Sequence, residues 1–327
     1  MTLPPVGALR ARDLVGRFRG LSVLVVGDVM ADRFIVGRVT RISPEAPVPI
    51  VRFESEHTRL GGAANVAHNL AALGARPVLV GVVGSDPAGA RLRRELTAAG
   101  IGADGIVEDR SRPTVEKVRI VTERNQQVAR VDYEEDRDIE GDVAQRVLDR
   151  IAALGKGATV VIVSDYLKGT ITRAVMAAIT SGDASRPIVV DPKVPHLDCY
   201  AGVTVLTPNH HEAEAATSRR IRTDEEARTA GRDVRRRAKA GAALITRGEH
   251  GMWLSSDAFE GAVPASAREV ADVTGAGDTV VSALALALAA GATLAEGAVL
   301  ANHAAGIVVG KFGPAIVTRE ELIAATG

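Results

Sequence analysis

The sequence predicts an α/β fold with a mostly parallel central sheet flanked by helices, on three observations. Short apolar runs recur along the chain: Leu21 to Val26, Pro77 to Val83, Thr159 to Val163, Pro187 to Val190, Val203 to Leu206 and Ala242 to Thr246. Strands buried on both faces require such runs. Helical stretches alternate with them, which is the βαβ order of a parallel sheet. Finally, 327 residues that are 46% hydrophobic and 24% charged have the composition of a globular protein and exclude wholesale disorder.

The first strand ends at Gly27-Asp28. Helices are expected over Gly61–Leu73, Ala88–Ala99 and Asp142–Leu154, and again from Ile171. The strand at Val203–Leu206 leads into Thr207-Pro208-Asn209, the charged segment Asp224–Lys239 reads as a helix, and three Ala-rich helical segments close the chain. Two stretches break the alternation, at about residues 34–54 and 113–134; both are β-rich and lack a crossover helix. Thr114 to Val121 alternates polar with apolar, a strand with one wet face. These stretches are expected to pair into a small flanking sheet that acts as a lid, the alternative being edge strands of the main sheet. No repeat or low-complexity linker is evident, so residues 1–327 are expected to form a single domain.

Charge excludes some functions. The 40 basic residues, only six of them lysine, balance 40 acidic ones, so no long-range field favours nucleic acid as a partner. Cys199 is the only cysteine, which leaves no disulfide framework. The first twenty residues lack the apolar core of a signal peptide. The longest uncharged run, Thr279 to Ala295, is 17 residues of mostly alanine and leucine, which suits a buried core helix better than a membrane span. A cytoplasmic protein with no membrane partner is the expectation.

The chemistry is expected in Asp272-Val273-Thr274-Gly275-Ala276-Gly277-Asp278, at the start of a helix. Glycines there let backbone N–H groups converge on an anion, and the helix dipole adds positive potential. Asp278 in the first turn would set a carboxylate beside that hole, the pairing phosphoryl transfer needs. The plainer reading makes Gly275 and Gly277 turn residues and Asp278 a cap. Gly61-Gly62-Ala63-Ala64-Asn65 opens another helix, where adjacent glycines admit a ligand and Asn65 offers donor and acceptor. Asp28 and Asp32 follow the first strand, where open α/β sheets bind ligands. Asn209 and Glu212, three apart, either orient waters on magnesium or form a helix capping box, and the two roles are compatible. Other nucleotide motifs fail: the Gly100–Gly105 pattern follows a helix, and Gly306–Phe312 is one residue short of a P-loop.

Together the Gly61–Asn65 and Asp272–Asp278 segments, in this order and at this separation, resemble the two signatures of the ribokinase-like (phosphofructokinase-B type) carbohydrate kinases. The resemblance covers essentially the whole chain. It implies Gly275, Ala276 and Gly277 as the anion hole, Asp278 as catalytic base, and Asn209 and Glu212 near magnesium, with ATP as phosphoryl donor. It also implies nucleotide contacts at Thr246, Gly248 and Gly251, and Asn302 in the adenine pocket. Some members use a monovalent cation such as K+, here near Asp272 and Thr274; Gly313-Pro314-Ala315-Ile316 departs from the pattern there, and His303 beside Asn302 departs from it at the adenine pocket.

Further segments narrow the match. Arg41–Pro49, Arg124-Asn125-Gln126-Gln127, Ser164-Asp165-Tyr166 with Lys168-Gly169, and Asp191-Pro192-Lys193 are similar to those of the D-glycero-β-D-manno-heptose 7-phosphate kinases. That implies phosphorylation of the anomeric hydroxyl to give the 1,7-bisphosphate, within lipopolysaccharide-type heptose synthesis. Many members carry a fused nucleotidyltransferase; a chain ending at Gly327 resembles the stand-alone kinase. A phosphorylated sugar calls for cations at the far end of its pocket. Arg124, Arg130, Lys168 and Lys193 are the candidates, with Gln126 beside them. The resemblance also suggests a homodimer through the lid. The alternatives are a ribokinase- or fructokinase-type enzyme, a nucleoside kinase, and a non-catalytic sugar-binding regulator.

Overall fold

In a computed structural model, which describes residues 2–124, 126–266, 270–311 and 315–326, the first apolar run forms β1 (Ser22–Gly27). Its side chains alternate between two cores: Val23 and Val25 face one, Leu24 and Val26 the other. A strand covered on both faces has no need of polar residues, which is why the run is continuous.

The chain then leaves the main sheet in two long antiparallel strands, β2 (Val29–Ile42) and β3 (Pro49–Gly62). It returns as α2 (Ala63–Ala72), after the short α1 (Ala8–Gly16) that precedes β1. Next come β4 (Arg76–Gly84), α3 (Pro87–Ala98) and β5 (Ile106–Asp109). A second excursion, β6 (Glu116–Thr122) and β7 (Gln127–Tyr133), joins the first: β2 pairs with β6 in parallel, and the small sheet runs β3-β2-β6-β7. Both β-rich stretches therefore lie in a sheet of their own and are not edge strands of the main one.

The second half adds α4 (Gly141–Leu154), β8 (Val160–Ser164), α5 (Arg173–Thr180), β9 (Ile188–Asp191), β10 (Val205–Leu206), α6 (His210–Thr217) and α7 (Asp224–Ala238). It ends with β11 (Ala242–Thr246), β12 (Met252–Ser256), β13 (Glu260–Val263), α8 (Ala276–Ala289), α9 (Leu294–Val309) and α10 (Arg319–Ala325). The main sheet runs β13-β12-β11-β10-β9-β8-β1-β4-β5; the pairs from β11 through β5 are parallel, and β12 and β13 are antiparallel. Helices α2, α8 and α9 build the core on one face, α4, α5 and α7 the core on the other.

The 17-residue uncharged run is α8 and the approach to α9, buried in the core as expected. No helix among the described residues is long and apolar enough to cross a membrane. At the second helix the boundary differs from the sequence reading. Gly61 and Gly62 close β3, and the helix starts at Ala63. Gly62 takes φ +55° and ψ −135°, a region open almost only to glycine, and a Cβ there would lie 2.4 Å from the Asp28 carbonyl oxygen.

Candidate active site

The two motif segments meet where the strand order reverses. β1 has β4 on one side and β8 on the other, so their carboxyl ends open a crevice of the kind that binds ligands in open α/β sheets. Gly27 approaches β8 so closely that a Cβ would sit 2.1 Å from the Ser164 carbonyl oxygen.

α8 begins at this crevice. Gly275 caps it at φ +79°, and Asp278 lies in its first turn. The first N–H groups of a helix have no intrahelical partner. Of the three expected donors, Ala276 already gives its N–H to the Val273 carbonyl at 3.2 Å, whereas a Cβ on Gly277 would meet nothing within 4 Å. Gly277 faces open space.

Asp278 is only 5% exposed. Its Oδ2 accepts a hydrogen bond from Asn65 Nδ2 at 2.6 Å, and its Oδ1 accepts one from the Tyr166 hydroxyl at 3.0 Å. Burial pushes its pKa from 3.8 up to about 6, against the pull of those two hydrogen bonds and of Lys193. Asp32 pushes the same way as burial. Asn65 reaches Asp278 because α2 and α8 lie side by side, laced by Thr279 Oγ1 to Asn69 Oδ1 at 2.9 Å and Ser282 Oγ to the Val66 carbonyl at 3.3 Å.

Asp28 is placed differently from the expectation of a sugar-facing carboxylate. It is 1% exposed, and its oxygens accept the backbone N–H groups of Tyr166 at 2.8 Å and of Lys168 and Thr170 at 3.0 Å. It anchors the turn after β8. Asp32 is ion-paired with Arg119 of β6, and a Cβ on Gly61 would crowd its carboxylate at 2.9 Å.

The expected phosphate-binding cations are mostly engaged elsewhere. Lys168 pairs with Glu134 and Asp136 at 3.0 and 2.6 Å, and Arg130 with Asp132 at 2.9 Å. Arg124 and Gln126 sit on the exposed turn between β6 and β7; Asn125 lies outside the described residues, as do Gly313 and Pro314. Lys193 is paired too, with Glu212, but its Nζ lies 5.3 Å from the centre of the Tyr166 ring, beside Asp278.

Of the residues expected near the nucleotide, Asn209 and Glu212 form the capping box of α6. Asn209 Oδ1 accepts the Glu212 N–H at 2.9 Å, and Glu212 Oε2 accepts that of Asn209 at 3.0 Å. Thr246 ends β11 beside them, its N–H on the Pro208 carbonyl at 3.0 Å. The turn that follows uses positive φ at Gly248 and Gly251; a Cβ on Gly251 would sit 2.1 Å from the Val263 carbonyl oxygen. Asn302 Nδ2 donates to the Pro264 carbonyl at 2.8 Å, and its carbonyl accepts from the Ser266 hydroxyl at 2.8 Å. Its amide thus ties α9 to the chain leaving β13.

Sequence reasoning gave no role to Tyr166, Lys117 or Arg119. The alternation of residues 114–121 put Lys117 and Arg119 on one face of a strand, but it gave no sign that this face meets the crevice.

The raised acid of Asp278 has a consequence for stability. Its folded-state pKa lies above the unfolded one, so its contribution is present below about pH 3.8 and lost as pH rises through about 6. That rise corresponds to about 3 kcal/mol. Asp278→Asn, with no proton to lose, should gain on the wild type by about this amount between roughly pH 4 and pH 8 in urea unfolding. Parallel pH profiles for the two proteins would contradict the burial of an ionising group here.

Over residues 21–321 the sequence matches the pfkB family carbohydrate kinases. It is similar to two relatives, each named bifunctional protein HldE. That of Citrifermentans bemidjiense is 46% identical over 315 residues, and that of Caulobacter vibrioides 48% over 313. The matches cover 95% and 94% of this chain and 64% of each relative, so the chain spans less than two thirds of their length. Among solved structures, phosphofructokinase-2 of Escherichia coli in complex with potassium superposes with a TM-score of 0.75 at 16% identity, over 94% of this chain and 98% of that one. Arabidopsis thaliana ribokinase, complexed with ribose and ATP, gives 0.70 at 21%, over 94% and 99%. The central sheet and its helices are thus ribokinase-like in fold. The chain belongs to the pfkB family of carbohydrate kinases.

Proposed function

We propose that the chain transfers the γ-phosphoryl group of ATP to the anomeric hydroxyl of D-glycero-β-D-manno-heptose 7-phosphate, giving the 1,7-bisphosphate. The observation that carries the chemistry is a buried carboxylate, poised to ionise near pH 6, in the first turn of a glycine-capped helix. Asp278 takes the proton of the anomeric hydroxyl as that oxygen bonds to the γ-phosphorus, and the bond to the leaving oxygen of ADP breaks. The open amide of Gly277 and the α8 dipole stabilise the charge on the transferring group. The heptose assignment is supported by the motif segments around Arg41–Pro49, Tyr166 and Lys193 and by the relatives named HldE.

Magnesium fits the site as a passenger of the nucleotide. Among the described residues no three His, Cys, Asp or Glu side chains are grouped to hold a metal, and Mg2+ commonly keeps its waters while riding on phosphates. Glu212, with lone pairs beyond those used by Lys193 and Asn209, would face those waters together with Asn209. The ion neutralises phosphate charge. A monovalent-cation site near Asp272 is proposed on the same footing. Asp272 Oδ1 accepts the Thr274 N–H at 2.8 Å, and the segment is tied to the Val309 carbonyl. A rate dependent on K+ would support it.

For the distal phosphate of the sugar, the cation best placed is Lys117, half-buried near Tyr166 and without an ion pair among the described residues. Lys193 Nζ lies 5.3 Å from the centre of the same ring.

The small sheet exposes Val39, Ile42, Phe53, Val131 and Tyr133. Monomers rarely leave such a set on one sheet, and a second copy of the chain is the proposed occupant. Sedimentation should find a dimer for the wild type and a monomer for Ile42→Asp/Phe53→Asp; a monomeric wild type rejects this partner.

An ADP-release assay across heptose 7-phosphate, fructose 6-phosphate, ribose and adenosine tests the substrate, and turnover should be confined to the first. Faster turnover of an unphosphorylated sugar overturns the assignment. In the same assay kcat/KM should fall below about pH 6, and Asp278→Asn should lower kcat by ~10²–10⁴-fold while sparing ATP binding. A near-normal rate removes Asp278 from the mechanism.

A further inference from the structure

The turn after β8 is held in an unfavourable shape by buried charge. Leu167, not a glycine, has φ +57°, a conformation that persists only where the surroundings over-determine it. Two carboxylates do so. Asp28 accepts three backbone N–H groups of this turn. Asp165 accepts the Leu167 N–H at 2.8 Å and the Tyr200 hydroxyl at 2.6 Å, and its other neighbour is His196 Nδ1 at 2.7 Å. Two fully buried acids serving one short turn is a large outlay unless its geometry matters.

What the turn aims is Tyr166. Its hydroxyl donates to Asp278 Oδ1, and its ring lies near two ammonium groups: Lys193 Nζ at 5.3 Å and Lys117 Nζ at 5.9 Å from the ring centre. Lys193 follows β9 in the main sheet, whereas Lys117 comes from the small sheet. Burial, with Asp278 and Asp191 nearby, keeps the phenol protonated far above its ordinary range, so it is a permanent donor.

We propose that Tyr166 is a positioning residue for the base, its hydroxyl fixing one oxygen of the Asp278 carboxylate and favouring the ionised form. No proton leaves Tyr166. The remaining lone pairs of the carboxylate are left for the sugar hydroxyl. The inference rests on the reading of Asp278 as base.

The test is the pH profile of kcat/KM. The other groups facing Asp278 are Asn65 of α2, Asp32 of β2, and Asp191 and Lys193 at the end of β9. Lys117 and Arg119 of β6 lie next to them, and Tyr166→Phe leaves all of these in place. Losing a hydrogen bond to a charged group should move the acidic limb up by about one pH unit. The rate at about pH 7 then falls roughly two-fold from ionisation alone and recovers at higher pH; KM for ATP stays the same. Should the phenylalanine variant fold poorly, 3-fluorotyrosine at position 166, a stronger donor, should move the limb down. A limb that stays put in a folded variant overturns the proposal for Tyr166. A wild type with no acidic limb, or an active Asp278→Asn, overturns instead the reading of the base.

Discussion

The contact between Asn65 and Asp278 joins residues 213 apart in the chain, and the site depends on it. A carboxylate in a nearly dry position is costly unless donors meet it. Here the donors come from two directions, the amide of Asn65 on α2 and the hydroxyl of Tyr166 beyond β8, while the start of α8 supplies a favourable dipole. The compensation is incomplete, and the acid stays weaker than an exposed one. A carboxylate fully satisfied by its neighbours would be a poor base near neutral pH; one left slightly short is suited to the work.

Close approach of backbones makes the contact possible. Gly62 lets β3 turn into α2 against the Asp28 carbonyl, and Gly27 lets β1 press on β8. The same geometry places the small sheet. β2 starts immediately after Asp28, and β3 returns at Gly62, so both ends of the excursion are fastened beside the crevice. β6 then pairs in parallel with β2 and brings Lys117 and Arg119 to the same region. Lys117 of the small sheet thus lies beside the Tyr166 ring, one contact from Asp278.

Much of this was legible in the sequence. Strands buried on both faces announce themselves as apolar runs, and the two glycine-bearing segments carried the site because their chemistry is local. Elements with weak patterns were not seen. α1 is short, β5 has four residues, and the β12–β13 hairpin carries Ser255 and Ser256 in place of a continuous run. Gly61 and Gly62 were read as helix because the residues after them are strong helix formers, which masked the backbone break. Lys168 looked available since nothing in a linear pattern reveals its neutralising carboxylates, which lie 32 and 34 positions back along the chain; the partner of Arg130, Asp132, is two residues on along the same strand and was overlooked. Tyr166 was missed for a related reason: its role exists only once β8 and α8 are side by side.

The same logic resolves an apparent contradiction in the site. Six carboxylates, of Asp28, Asp32, Asp165, Asp191, Glu212 and Asp278, surround a place that, on the proposed function, receives a triphosphate and a sugar phosphate. Five are accounted for without the ligands. Asp28 and Asp165 are spent on backbone N–H groups and the Tyr200 phenol, with His196 Nδ1 close to Asp165. Asp32 is offset by Arg119, and Glu212 by Lys193. Asp191 is held well above the ordinary carboxylate range in spite of Lys193, mainly by burial, which disfavours its charged form. What remains for the proposed ligands is one weak acid, the lysine Lys117 beside a tyrosine ring, and a helix start. A site with many acids can thus bind anions, because all but one of its negative charges are already matched or suppressed by groups the fold itself supplies.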